Sequence, residues 1–257
     1  MQAAEVTSSH RVSGNWMRAP QTIRVMHALL DNGAQARFVG GCVRDTLLAH
    51  PVRDIDIAVD VEPEESVRIL ESAGLKVIPT GIDHGTITAV CDDTAFEITS
   101  LRRDVATDGR RATIAYTKDW AEDAARRDFT MNALYADLDG TLHDVLGSGL
   151  ADASARRVRF IGSAQDRIQE DYLRILRLFR FHAWYGDGEM EPMAVVAAAG
   201  LAGGVAKLSR ERVGQEMLKL LAARQPARAV QTMAQCGVLA HAPWAEPPVQ
   251  VVVPRAA

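Results

Sequence analysis

The 257 residues give room for one large domain or two modest ones. Hydrophobic residues make up 47% and charged residues 24%, as in an ordinary globular protein, and the net charge of -4 excludes an overall basic nucleic-acid-binding character. The three widely spaced cysteines form neither a disulfide framework nor a zinc pattern, so a reducing cytoplasm is the expected compartment. No apolar run approaches the ~20 residues of a membrane span, so no membrane partner is expected.

Hydrophobic periodicity and turn residues predict helices that alternate with strands in the first part of the chain. The predicted helices are 16–32, 43–49, 63–73 and 122–136, and the predicted strands are 36–39, 54–59, 75–79, 86–90 and 94–101. The polar segment 102–120 is predicted to be a mobile loop, and 137–144 a hairpin. Further helices are predicted at 165–185, 208–221 and 226–239, with Ser209 as an N-cap.

A glycine turn follows the first predicted strand. Phe38 and Val39 lead into Gly40 and Gly41, and a helix is predicted to begin shortly afterwards. A strand, a glycine pair and a helix start together expose backbone N–H groups, which suits the binding of a phosphate.

Acidic and aliphatic residues alternate in the second predicted strand. Asp54 and Asp56 are predicted to share one face, while Ile55 and Ile57 point into a core. Two neighbouring carboxylates repel each other, and a divalent cation with oxygen ligands would compensate. The pattern is short, so the solvated face of an edge strand is the competing interpretation.

Two further segments carry polar groups at suggestive positions. Glu97 would be a third carboxylate if its strand lies beside the Asp54 strand; an ordinary surface glutamate fits the spacing equally well. Asp128 and Asn132 are four residues apart, so on the predicted helix 122–136 they share a face. The spacing alone favours a plain surface pair over contact with a nucleotide.

The predicted helix 165–185 has one apolar face and one charged face. Asp171, Arg174, Arg177 and Arg180 recur every three residues, so the row winds slowly round one side. By itself this pattern favours an ordinary solvated face.

Together these segments resemble the class II tRNA nucleotidyltransferase and bacterial poly(A) polymerase family, whose best-known members are the CCA-adding enzymes. The matching motifs are Gly40-Gly41-Cys42-Val43-Arg44-Asp45, Asp54-Ile55-Asp56, Glu97-Ile98-Thr99-Ser100-Leu101-Arg102, Arg126-Arg127-Asp128 with Asn132-Ala133, Glu170-Asp171 with Arg174, and Ser209 with Glu211-Arg212. The resemblance implies an α+β fold: a nucleotidyltransferase-type head, with a mixed β-sheet and helices, at 1–160, followed by an all-α neck at 161–257. It covers about residues 20–240, so most of the family's C-terminal body and tail is expected to be lacking.

The resemblance also implies roles for individual residues. Asp54 and Asp56 would be the catalytic carboxylates and, with Glu97 as a third ligand, would hold Mg²⁺ in a two-metal site. The implied nucleotide-binding residues are Gly40, Gly41 and Arg44 for the triphosphate, Arg127, Asp128 and Asn132 for ribose and phosphate, Asp171 and Arg174 for the base, and Arg177 and Arg180 for phosphate or the RNA end.

An aspartate and an arginine can together select a base. The aspartate accepts from an exocyclic amine, and the arginine donates to a ring nitrogen or carbonyl oxygen. Cytosine and adenine carry an exocyclic amine beside a ring-nitrogen acceptor, whereas guanine and uracil present a protonated ring nitrogen beside a carbonyl. Asp171 and Arg174 would therefore accept C and A without a nucleic-acid template.

The implied function is template-independent transfer from CTP and ATP to the 3' end of tRNA, which is CCA addition and repair. An A-adding enzyme and a poly(A) polymerase share these motifs and remain alternatives. The segment 102–120 resembles a loop that CC-adding enzymes lack, which argues against a CC-only enzyme. From another class, a non-catalytic RNA- or nucleotide-binding relic is an alternative, and intact Asp54, Asp56 and Asp171 speak against it.

Overall fold

The computed structural model describes residues 10–107 and 112–242. It divides into two compact units, the first ending at Ser163 and the second beginning at Ala164. The sequence had placed the boundary at residue 160. Within the described ranges, no helix combines the length and the apolar character needed to cross a bilayer.

The first unit combines helices with a mixed sheet. In chain order its elements are α1 (Pro20–Leu30), β1 (Ala36–Val39), α2 (Gly41–Leu47), β2 (Ile55–Val59), α3 (Pro63–Ser72), β3 (Lys76–Gly81), β4 (Thr86–Cys91), β5 (Thr94–Ser100), β6 (Arg102–Thr107), β7 (Ala112–Tyr116), α4 (Trp120–Ala125), β8 (Tyr135–Ala136), β9 (Leu142–His143) and α5 (Gly149–Ser154). The main sheet has the strand order β3-β4-β5-β2-β1-β8-β9, and β6 pairs with β7 separately.

The two faces of the main sheet differ in chemistry. Strands β2 and β5 run parallel in the centre, and the neighbouring pairs are antiparallel. Ile55 and Ile57 are 8% and 0% exposed, as the alternation predicted. Asp56 and Glu97 are direct register partners, so they lie on the opposite face. That face also carries a small apolar core, formed by Val39, Ala58, Leu101, Ala124, Ala133, Tyr135 and Ile161.

The segment predicted to be a loop, 102–120, instead contains paired strands. Strands β6 and β7 form an antiparallel ribbon, and the Thr117 N–H donates to the carbonyl of Leu101 at its base. The polar composition indicated a loop, but an antiparallel ribbon requires only cross-strand backbone hydrogen bonds. The predicted turn at Asp108–Gly109 lies outside the described residues.

The continuous helix predicted at 122–136 is wrong. Helix α4 ends at Ala125, and a 3-10 turn at Thr130–Asn132 precedes β8. The Thr130 N–H donates to the Arg159 carbonyl, and Phe129 forms an isolated β-bridge with Phe160. These tertiary hydrogen bonds draw the backbone into an extended path, which helical periodicity alone does not reveal.

The second unit is helical throughout its described residues. Its helices are α6 (Ala164–Glu170), α7 (Leu173–Tyr185), α8 (Pro192–Gly200), α9 (Arg210–Leu221) and α10 (Ala227–Gln235). The predicted helix 165–185 is interrupted between Glu170 and Leu173. Asp171 Oδ1 accepts from the Leu173 N–H at 3.0 Å, and such a local hydrogen bond competes with helix continuation. The Ser209 hydroxyl accepts from the Arg212 N–H, which confirms the predicted N-cap of α9.

Candidate active site

The glycine turn lies against charged side chains from three segments. Gly40 has φ of +70°, a conformation that favours glycine, and α2 begins directly after it. A Cβ on Gly40 would lie 3.6 Å from Arg127 Nη1 and 4.0 Å from Asp56 Oδ2. A Cβ on Gly41 would lie 3.8 Å from Arg44 Nη2 and 3.9 Å from Asp56 Oδ2. The structure therefore brings the turn, Asp56, Arg44 and Arg127 together.

The Asp56 carboxyl has a raised pKa. Burial, and then the charge of Glu97, raises its pKa to about 6, and Asp54 adds to the effect. Arg127 and Arg44 act in the opposite direction. Asp54 itself is exposed and directly precedes β2. The three acids thus form an electrostatically repelling group at one end of the β2–β5 pair.

The donor set of this group suits a hard cation. Carboxylate oxygens are the ligands of Mg²⁺, which is commonly held by one or two carboxylates together with substrate phosphates. Among residues 10–107 and 112–242, no three acidic, histidine or cysteine side chains are grouped so that they could hold a metal ion. Asp54 and Asp56 fit the two-carboxylate arrangement by their chemistry and their mutual repulsion.

Arg44 is held in place by a chain of polar side chains. It is 6% exposed and donates to Asp45 Oδ1 through Nε and Nη2, at 2.9 and 2.8 Å. Its Nη1 donates to Asn132 Oδ1, and Asn132 Nδ2 donates to Asp128 Oδ1 at 2.8 Å. Asp128 and Asn132 are therefore neighbours, as predicted, although no helix joins them. Their buried polar groups hold Arg44 beside the turn.

Arg127 is held by a residue that the sequence analysis did not select. Asp123, on α4, accepts hydrogen bonds from Arg126, Arg127 and Tyr135. The available signal was helical spacing, because an acid three and four residues before two arginines can pair with both.

Replacing Gly40 by alanine tests the turn. We expect a loss of about 1–2 kcal/mol in stability, because an L-residue is strained at this φ. We also expect weaker nucleotide binding, since the strained turn shifts Arg127 and Asp56. Gly33→Ala is the matched control: Gly33 has φ of +87° with no atom within 4 Å of a Cβ. The melting temperature should fall for both variants, and the KM for nucleotide should rise only for Gly40→Ala. Equal KM values for the two variants would contradict a role of the Gly40–Gly41 turn in nucleotide binding.

The second unit holds the predicted base-reading residues. Asp171 lies in the break before α7, and its Oδ2 accepts from Arg212 Nη2 at 2.7 Å. Arg174 donates to Glu170 Oε2 and to the Arg167 carbonyl at the end of α6. Asp171 and Arg174 thus have separate anchors. Arg212 is a partner whose importance the sequence analysis underestimated, although the Ser-x-Glu-Arg motif contained it.

Arg177 and Arg180 face α9. Arg180 Nε donates to Glu216 Oε2 at 2.6 Å, and Arg177 Nη1 lies 4.0 Å from Glu216 Oε1. The side chains of Arg180 and Glu216 are 12% and 6% exposed, and burial lowers the pKa of Arg180. Both guanidinium groups also lie over the ring of Phe181. The packing of α7 on α9 therefore uses part of the arginine row.

Glu216→Gln is expected to destabilise the second unit by about 3 kcal/mol, because it leaves the buried Arg180 without its counter-charge. The matched control is Glu189→Gln. Glu189 is 89% exposed and pairs with Arg228, which is 58% exposed, so its loss should leave the melting temperature within error. Equal melting temperatures for the two variants would show that the Arg180–Glu216 ion pair does not stabilise the second unit.

A mixed sheet with carboxylates beside a glycine turn, followed by a helical unit, is the architecture of a nucleotidyltransferase head and neck. The family described as "Poly A polymerase head domain" matches residues 36–159, and "Probable RNA and SrmB- binding site of polymerase A" matches 189–245. The chain belongs to the class II tRNA nucleotidyltransferase and poly(A) polymerase family. The family resemblance and the α+β fold class are thereby confirmed.

Individual relatives agree with this assignment. The CCA tRNA nucleotidyltransferase 1, mitochondrial, of Danio rerio is 42% identical over 210 residues, which are 80% of this chain and 48% of that protein. The Bacillus stearothermophilus CCA-adding enzyme in complex with CTP superposes with a TM-score of 0.78 at 34% identity, over 87% of this chain and 53% of that chain. A tRNA nucleotidyltransferase complexed with a primer tRNA and an incoming ATP analog gives 0.67 at 26% identity, over 84% and 61%. The chain spans about half the length of the curated relatives that it matches.

Proposed function

We propose that this chain transfers nucleotides from CTP and ATP to the 3' end of tRNA, completing or repairing the CCA sequence. The observation that carries the proposal is the meeting of Asp56, Arg44 and Arg127 at the Gly40–Gly41 turn. The names of the relatives, which are CCA-adding enzymes, support the same reading.

In the proposed reaction, the RNA 3'-hydroxyl oxygen attacks the α-phosphorus of the nucleotide. A new phosphodiester bond forms, the bond from the α-phosphorus to the bridging oxygen breaks, and pyrophosphate leaves with the electron pair; the hydroxyl proton passes to solvent. Mg²⁺, held by Asp54 and Asp56, would supply charge stabilisation at the phosphates. Glu97, predicted as a third ligand, would instead add negative charge beside Asp56.

The remaining residues bind and orient the nucleotide. Gly40 and Gly41 leave space for the triphosphate, and Arg44 and Arg127 supply positive charge beside that space. Asp128 and Asn132 would contact the ribose and also support Arg44.

The second unit would select the base and hold the RNA end. Asp171 would accept from the exocyclic amine of cytosine or adenine, and Arg174 would donate to the ring. Arg177 would face the RNA end, while Arg180 would combine that role with its ion pair to Glu216. Arg212 would steady the Asp171 carboxylate.

The alternative functions differ in the nucleotide that is added and in the RNA that receives it. An A-adding enzyme or a poly(A) polymerase would use the same residues, and a non-catalytic nucleotide-binding protein would retain them without turnover. For the compartment, the cytoplasm expected from the sequence stays a prediction, and the Danio rerio relative is named as mitochondrial.

The test is incorporation of each labelled nucleotide, with Mg²⁺ or with excess chelator, into three RNAs. These are tRNA ending at the discriminator base, tRNA ending in CC, and an unrelated RNA. We expect C and then A on tRNA alone, only with Mg²⁺. Addition of A to the CC end alone would indicate an A-adding enzyme. Addition of A-tails to any RNA would indicate a poly(A) polymerase, and no incorporation at all would indicate a non-catalytic protein.

A further inference from the structure

Asp123 is a buried carboxylate to which the proposed chemistry gives no role. It lies on α4, is 1% exposed, and both of its oxygens accept several hydrogen bonds. Oδ1 accepts from Arg126 Nε and Nη2 at 2.9 and 2.6 Å. Oδ2 accepts from Arg127 Nε and Nη2 at 3.2 and 2.8 Å, and from the Tyr135 hydroxyl at 2.8 Å.

These contacts fix the orientation of the Arg127 guanidinium. Asp123 engages one edge of the planar group, through Nε and Nη2, so the remaining nitrogen, Nη1, is directed away from it. Nη1 lies 3.6 Å from the position of a Cβ on Gly40, at the turn beside Asp56. The Tyr135 ring supports the same orientation, since its centroid lies 5.5 Å from Arg127 Cζ.

Asp123 and the two arginines stabilise one another in their charged forms. Burial by itself would raise the pKa of Asp123, but Arg127 and Arg126 outweigh it and hold that pKa well below its usual range. Burial would lower the pKa of Arg127, but Asp123 outweighs it and the pKa is raised. Arg127 therefore keeps its positive charge at the turn, beside the Asp56 carboxylate, and can bind an anionic polyphosphate there.

We propose that Asp123 is a positioning residue, which aims Nη1 of Arg127 at the triphosphate of the incoming nucleotide. The proposal rests on the proposed function, since that function places a triphosphate at the Gly40–Gly41 turn. It extends the site to a residue that contacts neither nucleotide nor RNA and acts only through Arg127.

Equilibrium binding of inorganic tripolyphosphate and of CMP tests this without any turnover. The variants are Asp123→Asn, Asp123→Glu, Arg127→Ala and the double variant Asp123→Asn/Arg127→Ala. We expect Asp123→Asn to weaken tripolyphosphate binding about 10-fold while changing CMP binding less than about 2-fold. In the Arg127→Ala background the same substitution should change tripolyphosphate affinity by less than about 2-fold, because a residue that acts through Arg127 has nothing left to position.

Asp123→Glu distinguishes orientation of the Arg127 guanidinium from simple pairing of its charge. It keeps the negative charge but moves the carboxylate by one methylene group, so a folded variant should still bind tripolyphosphate several-fold more weakly. It also serves as the test if Asp123→Asn fails to fold. The matched control is Asp152→Asn, since Asp152 is 1% exposed and accepts from Arg159 Nε at 2.8 Å within the same unit. That control should lose stability without losing tripolyphosphate affinity.

The proposal is overturned if folded Asp123→Glu binds tripolyphosphate like wild type, or if Asp123→Asn has its full effect in the Arg127→Ala background. It is also overturned if the wild-type chain binds no tripolyphosphate. Failure of the proposed function is a separate result: wild-type protein would bind tripolyphosphate, with Asp123 dependence, yet incorporate no nucleotide into any RNA.

Discussion

Asp56→Asn should abolish nucleotide incorporation and at the same time stabilise the metal-free protein. In the proposed function Asp56 would hold the cation, so its loss should cost several kcal/mol of transition-state stabilisation, or about 10³-fold in rate. The stability gain follows from the raised pKa: between the ordinary 3.8 and about 6 lies a difference worth about 3 kcal/mol. That penalty acts when Asp56 is ionised, and asparagine removes it.

The direction of the Asp56 pKa shift determines how this gain in stability depends on pH. The folded state binds the Asp56 proton more tightly than the unfolded state, so wild type loses stability as pH rises from about 4 through about 6. In chelator, the melting temperature of Asp56→Asn should therefore exceed that of wild type by about 5 °C or more at pH 8, and match it below pH 4. Thermal melts at the two pH values measure this directly.

Asp60→Asn is the matched control, because Asp60 follows the other end of β2 and accepts only from the Gln35 backbone in the contacts described. It should retain incorporation and show no gain at pH 8. A stabilised Asp60→Asn would show that the stability gain is not specific to the surroundings of Asp56, and an active Asp56→Asn would remove Asp56 from the proposed catalytic centre.

Asp171→Ala should remove the choice of base. Asp171 has one oxygen held by the Leu173 N–H and the other by Arg212, so its carboxylate has a fixed orientation. Without it, kcat/KM for CTP and ATP should fall about 10²-fold. The preference for CTP and ATP over UTP and GTP should fall by at least as much, because the Asp171 carboxylate no longer opposes the binding of guanine and uracil, whose edges do not match it. Competition assays with all four nucleotides on tRNA ending at the discriminator base give both values.

Arg212→Ala should have a smaller effect in the same direction, of about 10-fold, because the acceptor remains while its tether is lost. Arg228→Ala is the control, since its only described ion pair is with the exposed Glu189. Unchanged base preference in Asp171→Ala would show that this carboxylate caps α7 and does not read the base.

The sequence alone determined the local pieces of this protein. Alternating aliphatic residues located β2 with Ile55 and Ile57 in the core, and Ser209 marked the start of α9, because burial and capping depend on residues close in the chain. The motif residues were also visible as letters, and their resemblance to one family identified the fold class. These features are set by nearest neighbours and by spacing.

Only the tertiary structure decided how the motif residues are held. The helix predicted around Asp128 gave way to extended backbone, because the Thr130 N–H donates to the Arg159 carbonyl and the Asp128 carbonyl accepts from the Ile161 N–H. Asp123, Asn132 and Arg212 became partners of Arg127, Arg44 and Asp171 through contacts that depend on folding. A buried guanidinium requires a nearby acceptor, but which carboxylate or amide provides it is fixed by packing across the chain and not by local pattern.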